Sequence, residues 1–261
     1  MPLVELNSLD DPGVTPYARL TEQQLCKENV GLLIAESPKV IKVALEEGYS
    51  PVSLLCERKH IEGDAAEIIA ANPELTVYTG SREILASLTG YTLTRGVLCA
   101  MKRPEAINPS AICNNAKRVA VIEAVCDTTN IGSIFRSGAA LGIDGVLLTP
   151  DSCDPFNRRS IRVSMGAVFK IPWAFCEDPV NMLNKTGFAT IALALQKDAF
   201  PISHRGLKEH DKVAMVVGTE GNGLSKEIIS KCRYKAIIPM HRNVDSLNVG
   251  VAAAIAFYAL C

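Results

Sequence analysis

Three short stretches carry residue types whose spacing can do chemistry: DTTNIGSIFRSGAALG (residues 127–142), VVGTEGNGLS (216–225) and IIPMHRNVDSLNVGVAAA (237–254). In the first, Asp127 and Thr128 turn the chain after an apolar run, and Asn130 stands where a helix N-cap belongs. Gly132, Ser133, Ser137, Gly138, Ala139 and Ala140 keep that helix thin, so Arg136 is a lone long cation among small residues. By itself it reads equally as a snorkelling arginine on a closely packed helix. In the second, Gly218, Gly221 and Gly223 let backbone amides approach a ligand just before a helix N-terminus, which favours an anion or a polar group. A tight strand-to-helix turn would look the same. The third ends a strand at Pro239-Met240 and opens a helix of small apolar residues with Ser246 and Asn248 near its start. Neither a G-x-G-x-x-G fingerprint nor the G-K-[ST] ending of a phosphate loop is present. Taken together, three polar or glycine-rich strand-end loops are what a ligand crevice at the carboxyl ends of parallel strands requires.

The elements around these stretches alternate. VGLLIAE, PVSLLCE, LTVYTG and GVLCAM read as strands; SPKVIKVALEEG and GDAAEIIAANP read as helices capped by Ser37 and Asp64, after an earlier helix over TPYARLTEQQLCKE. KRPEAINPSAICNNAK breaks all periodicity and reads as a linker. Beyond it RVAVIEAV, GVLLTP, FKIPW, ATIALAL, KVAMVVG and YKAIIPM read as strands, with helices at NIGSIFRSGAALG, PVNMLNK and LSKEIIS. This order predicts an α/β chain: a small unit over residues 1–105, a linker over 106–117, and a mostly parallel sheet with helices on both faces over 118–261.

Composition narrows the function classes. With 48% hydrophobic and 21% charged residues, the 261-residue chain is globular rather than disordered. Its acidic start lacks a signal-peptide profile, and the longest apolar run, Val249 to Leu260, is too short to span a bilayer; the expected location is cytoplasmic, with no membrane partner. Nine scattered cysteines without C-x-x-C pairs read as reduced thiols and give no metal site. Up to Cys113 there are 10 Lys and Arg against 15 Asp and Glu, a charge of −5; the remaining 17 against 13 give +4. The sharpest basic cluster is NRRSIR, with Arg158, Arg159 and Arg162, either a solvated face or a nucleic-acid patch.

The order and wording of the three stretches resemble the SpoU/TrmH family of RNA ribose 2'-O-methyltransferases, within the SPOUT superfamily. N-I-G-x-x-x-R at Asn130–Arg136, G-x-E-x-x-G-L-S at Gly218–Ser225, and I-P-M with S-L-N-V at Ile238–Met240 and Ser246–Val249 are similar to its three motifs; R-V-S-M-G-A at Arg162–Ala167 resembles its Ser-x-Gly-Ala element. The likeness runs from about Val119 to Cys261, and the first unit resembles the substrate-binding domain, akin to a ribosomal-protein fold, that precedes many family members.

This resemblance implies a deep trefoil knot, S-adenosylmethionine as cofactor, RNA as substrate (ribosomal rather than transfer RNA) and a homodimer; a catalytically silent RNA-binding protein of the same fold is the alternative. It implies catalytic roles for Arg136, Asn130, Glu220, Ser246 and Asn248. Leu195, Gly218, Ile238, Met240, Ser246 and Leu247 would hold the cofactor, and Arg136, Arg158, Arg159, Arg162 and Ser164 the RNA. A guanidinium is too weak an acid to serve as a base, so Arg136 is expected to grip a phosphate and orient the 2'-hydroxyl. Two positions depart from the family pattern. Arg242 replaces a glycine, so its loop is expected to change shape or add a cation near the RNA, and Gly250 replaces a serine.

Overall fold

The computed structural model describes residues 1–8, 10–18, 31–93, 96–219, 221, 223–242 and 244–261. The chain divides into two compact units, one of Met1–Glu105 with Phe156–Phe169, the other of Ala106–Pro155 with Lys170–Cys261.

The first unit begins with β1 (Leu3–Glu5), β2 (Leu32–Glu36), α1 (Pro38–Glu46), β3 (Pro51–Glu57), α2 (Ala66–Ala71), β4 (Thr76–Gly80), α3 (Arg82–Thr89) and β5 (Val97–Lys102). Its sheet runs β1-β4-β3-β5-β2, with β5 antiparallel to both neighbours and the other pairs parallel. Tyr17 anchors the core: its buried hydroxyl donates to the Ser53 carbonyl at 2.7 Å and accepts from the Ala100 amide at 3.1 Å. That burial pushes the phenol well above its ordinary pKa. Ser37 caps α1, its hydroxyl accepting from the Val40 amide. Asp64 does not cap α2; its carboxylate meets His60 Nδ1 at 3.2 Å, and Ala65 precedes the helix without a side-chain cap. Of the helix predicted over 15–28, the start is a 3-10 turn (Pro12–Tyr17) and residues 19–28 lie outside the described residues. The sequence reading also misses α3, which Ser81 caps and Gly90 ends in the left-handed conformation.

The chain continues through α4 (Pro109–Asn115), β6 (Arg118–Ile122), α5 (Thr128–Ala140) and β7 (Gly145–Leu148), contributes α6 (Arg158–Val163) to the first unit, and resumes with β8 (Trp173–Phe175), α7 (Pro179–Lys185), β9 (Ala189–Leu193), β10 (Phe200–Pro201), β11 (Val213–Val217), α8 (Lys226–Lys231), β12 (Tyr234–Ile237) and α9 (Val249–Leu260). The second sheet runs β10-β12-β9-β11-β6-β7-β8 and every pair in it is parallel. Val119 and Val121 of β6 and Ala214 and Val216 of β11 share a buried cluster with Ile112, Val180, Leu183 and Ile228 from α4, α7 and α8. Since side chains alternate along a strand, Ala120, Ile122, Met215 and Val217 face the other way, towards the side where α9 packs on α5 and β11. Every residue of β11 is buried, as a parallel sheet covered on both faces demands.

Two elements differ from the sequence reading. The stretch read as a linker contains α4, opened by Asn108 and Pro109, with Ile112 and Cys113 in the core; so few apolar positions give no readable period. The strand predicted at FKIPW starts only at Trp173, because Pro172 has no amide to donate and Phe169 ends a 3-10 turn of the first unit. Among the described residues no helix is long and apolar enough to cross a membrane, and no disulfide forms. Burial pushes the Cys56 thiol up to about 12.

Candidate active site

Parallel pairing puts the carboxyl ends of β9, β11 and β12, three adjacent strands, on one edge of the second sheet. A cavity of about 600 Å³ opens there. Its walls are Leu193–Gln196 after β9, the glycine turn after β11, and Ala236–Ile238 with Met240 after β12, closed by Ser246–Val249 and Ala252 at the start of α9. The six residues expected to hold a cofactor, Leu195, Gly218, Ile238, Met240, Ser246 and Leu247, all line it. Leu193, Ala194, Gln196 and Thr219 line it too and were missed; their signal is that they lie at or within three residues of the carboxyl ends of buried strands.

The glycine turn is tightly built. A methyl group on Gly218 would sit 2.6 Å from the Leu224 amide nitrogen and closer still to the Gly223 carbonyl, so no larger residue fits without moving backbone. The Gly223 amide donates back to the Thr219 carbonyl at 3.0 Å. Beyond the turn, Ser225 caps α8 by accepting from the Ile228 amide at 3.1 Å, while its own amide donates to Glu123 at 2.8 Å. Glu123 directly follows β6, so this bond joins the end of β6 to the second stretch; an acidic residue directly after a buried strand was the available signal. Glu220 lies outside the described residues.

Asp127, not Asn130, caps α5: its carboxylate accepts from the amides of Thr129 at 2.6 Å and Asn130 at 3.2 Å. The shorter reach from Asp127 leaves the Asn130 side chain for another task. Asn130, 6% exposed, accepts from Asn248 Nδ2 at 2.8 Å. The Asn248 side-chain oxygen meanwhile accepts from the amides of Gly250 and Val251, capping α9. One amide therefore closes the last helix and ties it to the helix bearing Arg136. The departure at Gly250 has its reason across this contact, since a Cβ there would lie 2.8 Å from Ser133 Oγ and 2.9 Å from Ser133 Cβ. Arg136 is exposed, and among the described residues no carboxylate pairs with it. The loop at Arg242 does not avoid the conformation a glycine would take: Arg242 itself holds φ +58° and is exposed.

The basic cluster belongs to the first unit. Arg158 Nε and Arg162 Nη1 stand 3.6 and 3.5 Å from one oxygen of Glu36, which is 2% exposed. The Arg158 guanidinium also lies 4.7 Å over the Tyr91 ring. Ser164 is buried and its hydroxyl donates to the Ile161 carbonyl at 2.9 Å, whereas Arg159 is exposed. Two of the three arginines of this cluster, all expected on RNA, thus have a carboxylate partner inside the unit.

The SpoU rRNA Methylase family matches residues 117–258, the whole span of the cavity-bearing sheet. The chain belongs to the SpoU rRNA methylase family. It is an RNA methyltransferase in sequence, and similar proteins match it along nearly all its length. It is 35% identical, over 97% of this chain and 85% of the other, to a protein of Mycobacterium tuberculosis (strain CDC 1551 / Oshkosh) described as an uncharacterized tRNA/rRNA methyltransferase. It is 28% identical, over 80% of this chain and 88% of the other, to the 23S rRNA (guanosine(2553)-2'-O)-methyltransferase RlmP of Bacillus subtilis (strain 168). Among solved structures, this SpoU methylase superposes on an AdoMet-bound rRNA methyltransferase from Sinorhizobium meliloti with a TM-score of 0.84, covering 99% of this chain and 97% of that one at 24% identity. That likeness concerns the fold.

Proposed function

We propose that the enzyme transfers the methyl group of S-adenosylmethionine to a ribose 2'-hydroxyl of structured RNA, ribosomal rather than transfer RNA. The observation that carries this reading is a cavity lined by all six predicted cofactor residues, tied to the Arg136 helix by the bond from Asn248 to Asn130. The cavity suits such a cofactor in size, since sites for ligands of this class run from about 300 to 1,000 Å³. Leu193, Val217, Ile238 and Met240 offer apolar wall for an adenosyl group, and the turn at Gly218–Gly223 offers backbone amides. When bound, the cofactor supplies an electrophilic methyl group.

The residues of the chain do the rest. Arg136, permanently charged, holds the phosphate beside the target ribose and so fixes the direction of the 2'-hydroxyl. The hydroxyl proton passes to that phosphate or to water rather than to the guanidinium, which has no free lone pair for it. Asn130 and Asn248 keep the two helix starts in register, and Ser246 adds a hydroxyl at the cavity wall; Glu220 completes this polar set. Arg159 and the rest of the first unit contact RNA as well. The carboxyl-terminal segment runs as a trefoil knot, supported by the way β12 inserts between β9 and β10. A homodimer fits Val251 and Tyr258, seven residues apart on α9 and 48% and 79% exposed. RlmP, whose name states ribosomal 2'-O-methylation, supports the choice of substrate.

Tritium transfer from labelled S-adenosylmethionine to bulk RNA, followed by nucleoside analysis, tests this. Wild type should place label on ribose. Label on bases would overturn the reading, and mapping 2'-O-methyl positions in cells with and without the gene separates ribosomal from transfer RNA.

A further inference from the structure

Arg242 occupies a backbone conformation that every residue with a Cβ disfavours, at φ +58°. Folding gains nothing visible from it: the side chain is exposed and, among the described residues, holds no ion pair. Strain of this kind persists only where the surrounding structure holds it in place, and it clusters at active sites and ligand clamps. Its position is such a place. Met240, two residues before, and Ser246, four residues after, both line the cavity, and the Val244 amide donates to the His241 carbonyl at 3.2 Å to close the turn between them. The same segment ends at Asn248, bonded to Asn130 on the helix that carries Arg136.

We propose that Arg242 is a substrate-binding residue that takes a backbone phosphate of the RNA at the loop walling the cavity. A guanidinium presents a planar fork that matches phosphate oxygens, and this substrate, as RNA, brings one phosphate per nucleotide to whatever surface surrounds the target. The cofactor carboxylate is the other anion within the reading; the turn bearing Arg242 is exposed rather than inside the cavity, which favours RNA. With Arg136, the enzyme then holds the strand by two cations on elements joined at one amide pair, which fixes the direction of the sugar between them. This inference rests on the proposed RNA 2'-O-methylation.

The test uses the full chain as wild type, Arg242→Gly and Arg242→Lys, with total RNA from cells lacking the gene as substrate. For Arg242→Gly the KM for RNA should rise about fivefold with kcat nearly unchanged, and the slope of log affinity against log salt should fall by about one. Its Tm should rise by about 2 °C as strain is relieved, so misfolding does not explain the loss. Arg242→Lys should keep the salt slope, and cofactor affinity by calorimetry should be the same in all three. An Arg242→Gly enzyme with wild-type KM and salt slope, or one altered only in cofactor affinity, overturns the inference while leaving the proposed function standing. A wild type that labels no RNA overturns the function itself, and this with it.

Discussion

The two units put their charged side chains to opposite uses. In the first, a mixed sheet with β5 antiparallel to both neighbours sends strand ends to both edges, and its most conspicuous polar chemistry turns inward: Glu36 is buried under Arg158 and Arg162, and Tyr17 is enclosed by Ser53 and Ala100. In the second, seven parallel strands bring every carboxyl end to one edge, so loops far apart in the chain meet around a cavity. The lesson concerns how charge is read. NRRSIR is the densest basic run in the sequence, yet two of its arginines answer a carboxylate, while the exposed Arg136 has no carboxylate partner among the described residues.

Four substitutions can break or sharpen this contrast. Arg136→Ala should lower kcat by about 100-fold, the scale lost when a positioning contact is removed, with melting temperature and cofactor affinity unmoved; full activity would return Arg136 to the role of a snorkelling surface arginine. Gly218→Ala forces a methyl into the Gly223–Leu224 backbone and should cost about 2.5 kcal/mol in urea unfolding, with weakened cofactor binding in calorimetry. Glu36→Ala should do the reverse of Arg136→Ala. Loss of a buried carboxylate shared by two arginines is expected to cost about 2 kcal/mol, below the usual figure for a buried pair because Arg162 is 40% exposed. Its kcat should stay within about twofold of wild type, since the unit is not built around the cavity. Asn248→Ala removes a helix cap and should cost about 1 kcal/mol, together with a measurable fall in kcat as α9 loosens from α5. Equal kinetic damage from Glu36→Ala and Arg136→Ala would dissolve the distinction between the units.

Much of the fold was legible because its elements are locally consistent. PVSLLCE and PVNMLNK became β3 and α7 with the boundaries read from the sequence, each bounded by proline and polar residues. Elements with little local signal escaped: α4 has few apolar positions, and β10 is two residues long. The membership of α6 in the first unit was illegible for a different reason, since its contact with Glu36 spans 126 residues of sequence. At the candidate site, spacing suggested strand-end loops and a crevice, and resemblance supplied the named residues. Neither could reveal that Asp127 would take the cap and free Asn130, or that Asn130 and Asn248, 118 residues apart, would share a hydrogen bond. The exchange of serine for glycine at Gly250 finds its reason only in Ser133, which lies opposite it. Pairwise fits of this sort belong to three dimensions and leave no trace in either partner alone.

The order in which the walls are made has a temporal consequence. The cavity is closed by Ser246–Val249 and Ala252, 147 residues downstream of Glu105. At a synthesis rate of about 5–20 residues per second, a growing chain spends roughly 7 to 30 seconds with its early strands already emerged and no pocket for a methyl donor. Until those last residues are made the nascent protein is catalytically mute, and Glu36 waits as well for the arginines that will neutralise it.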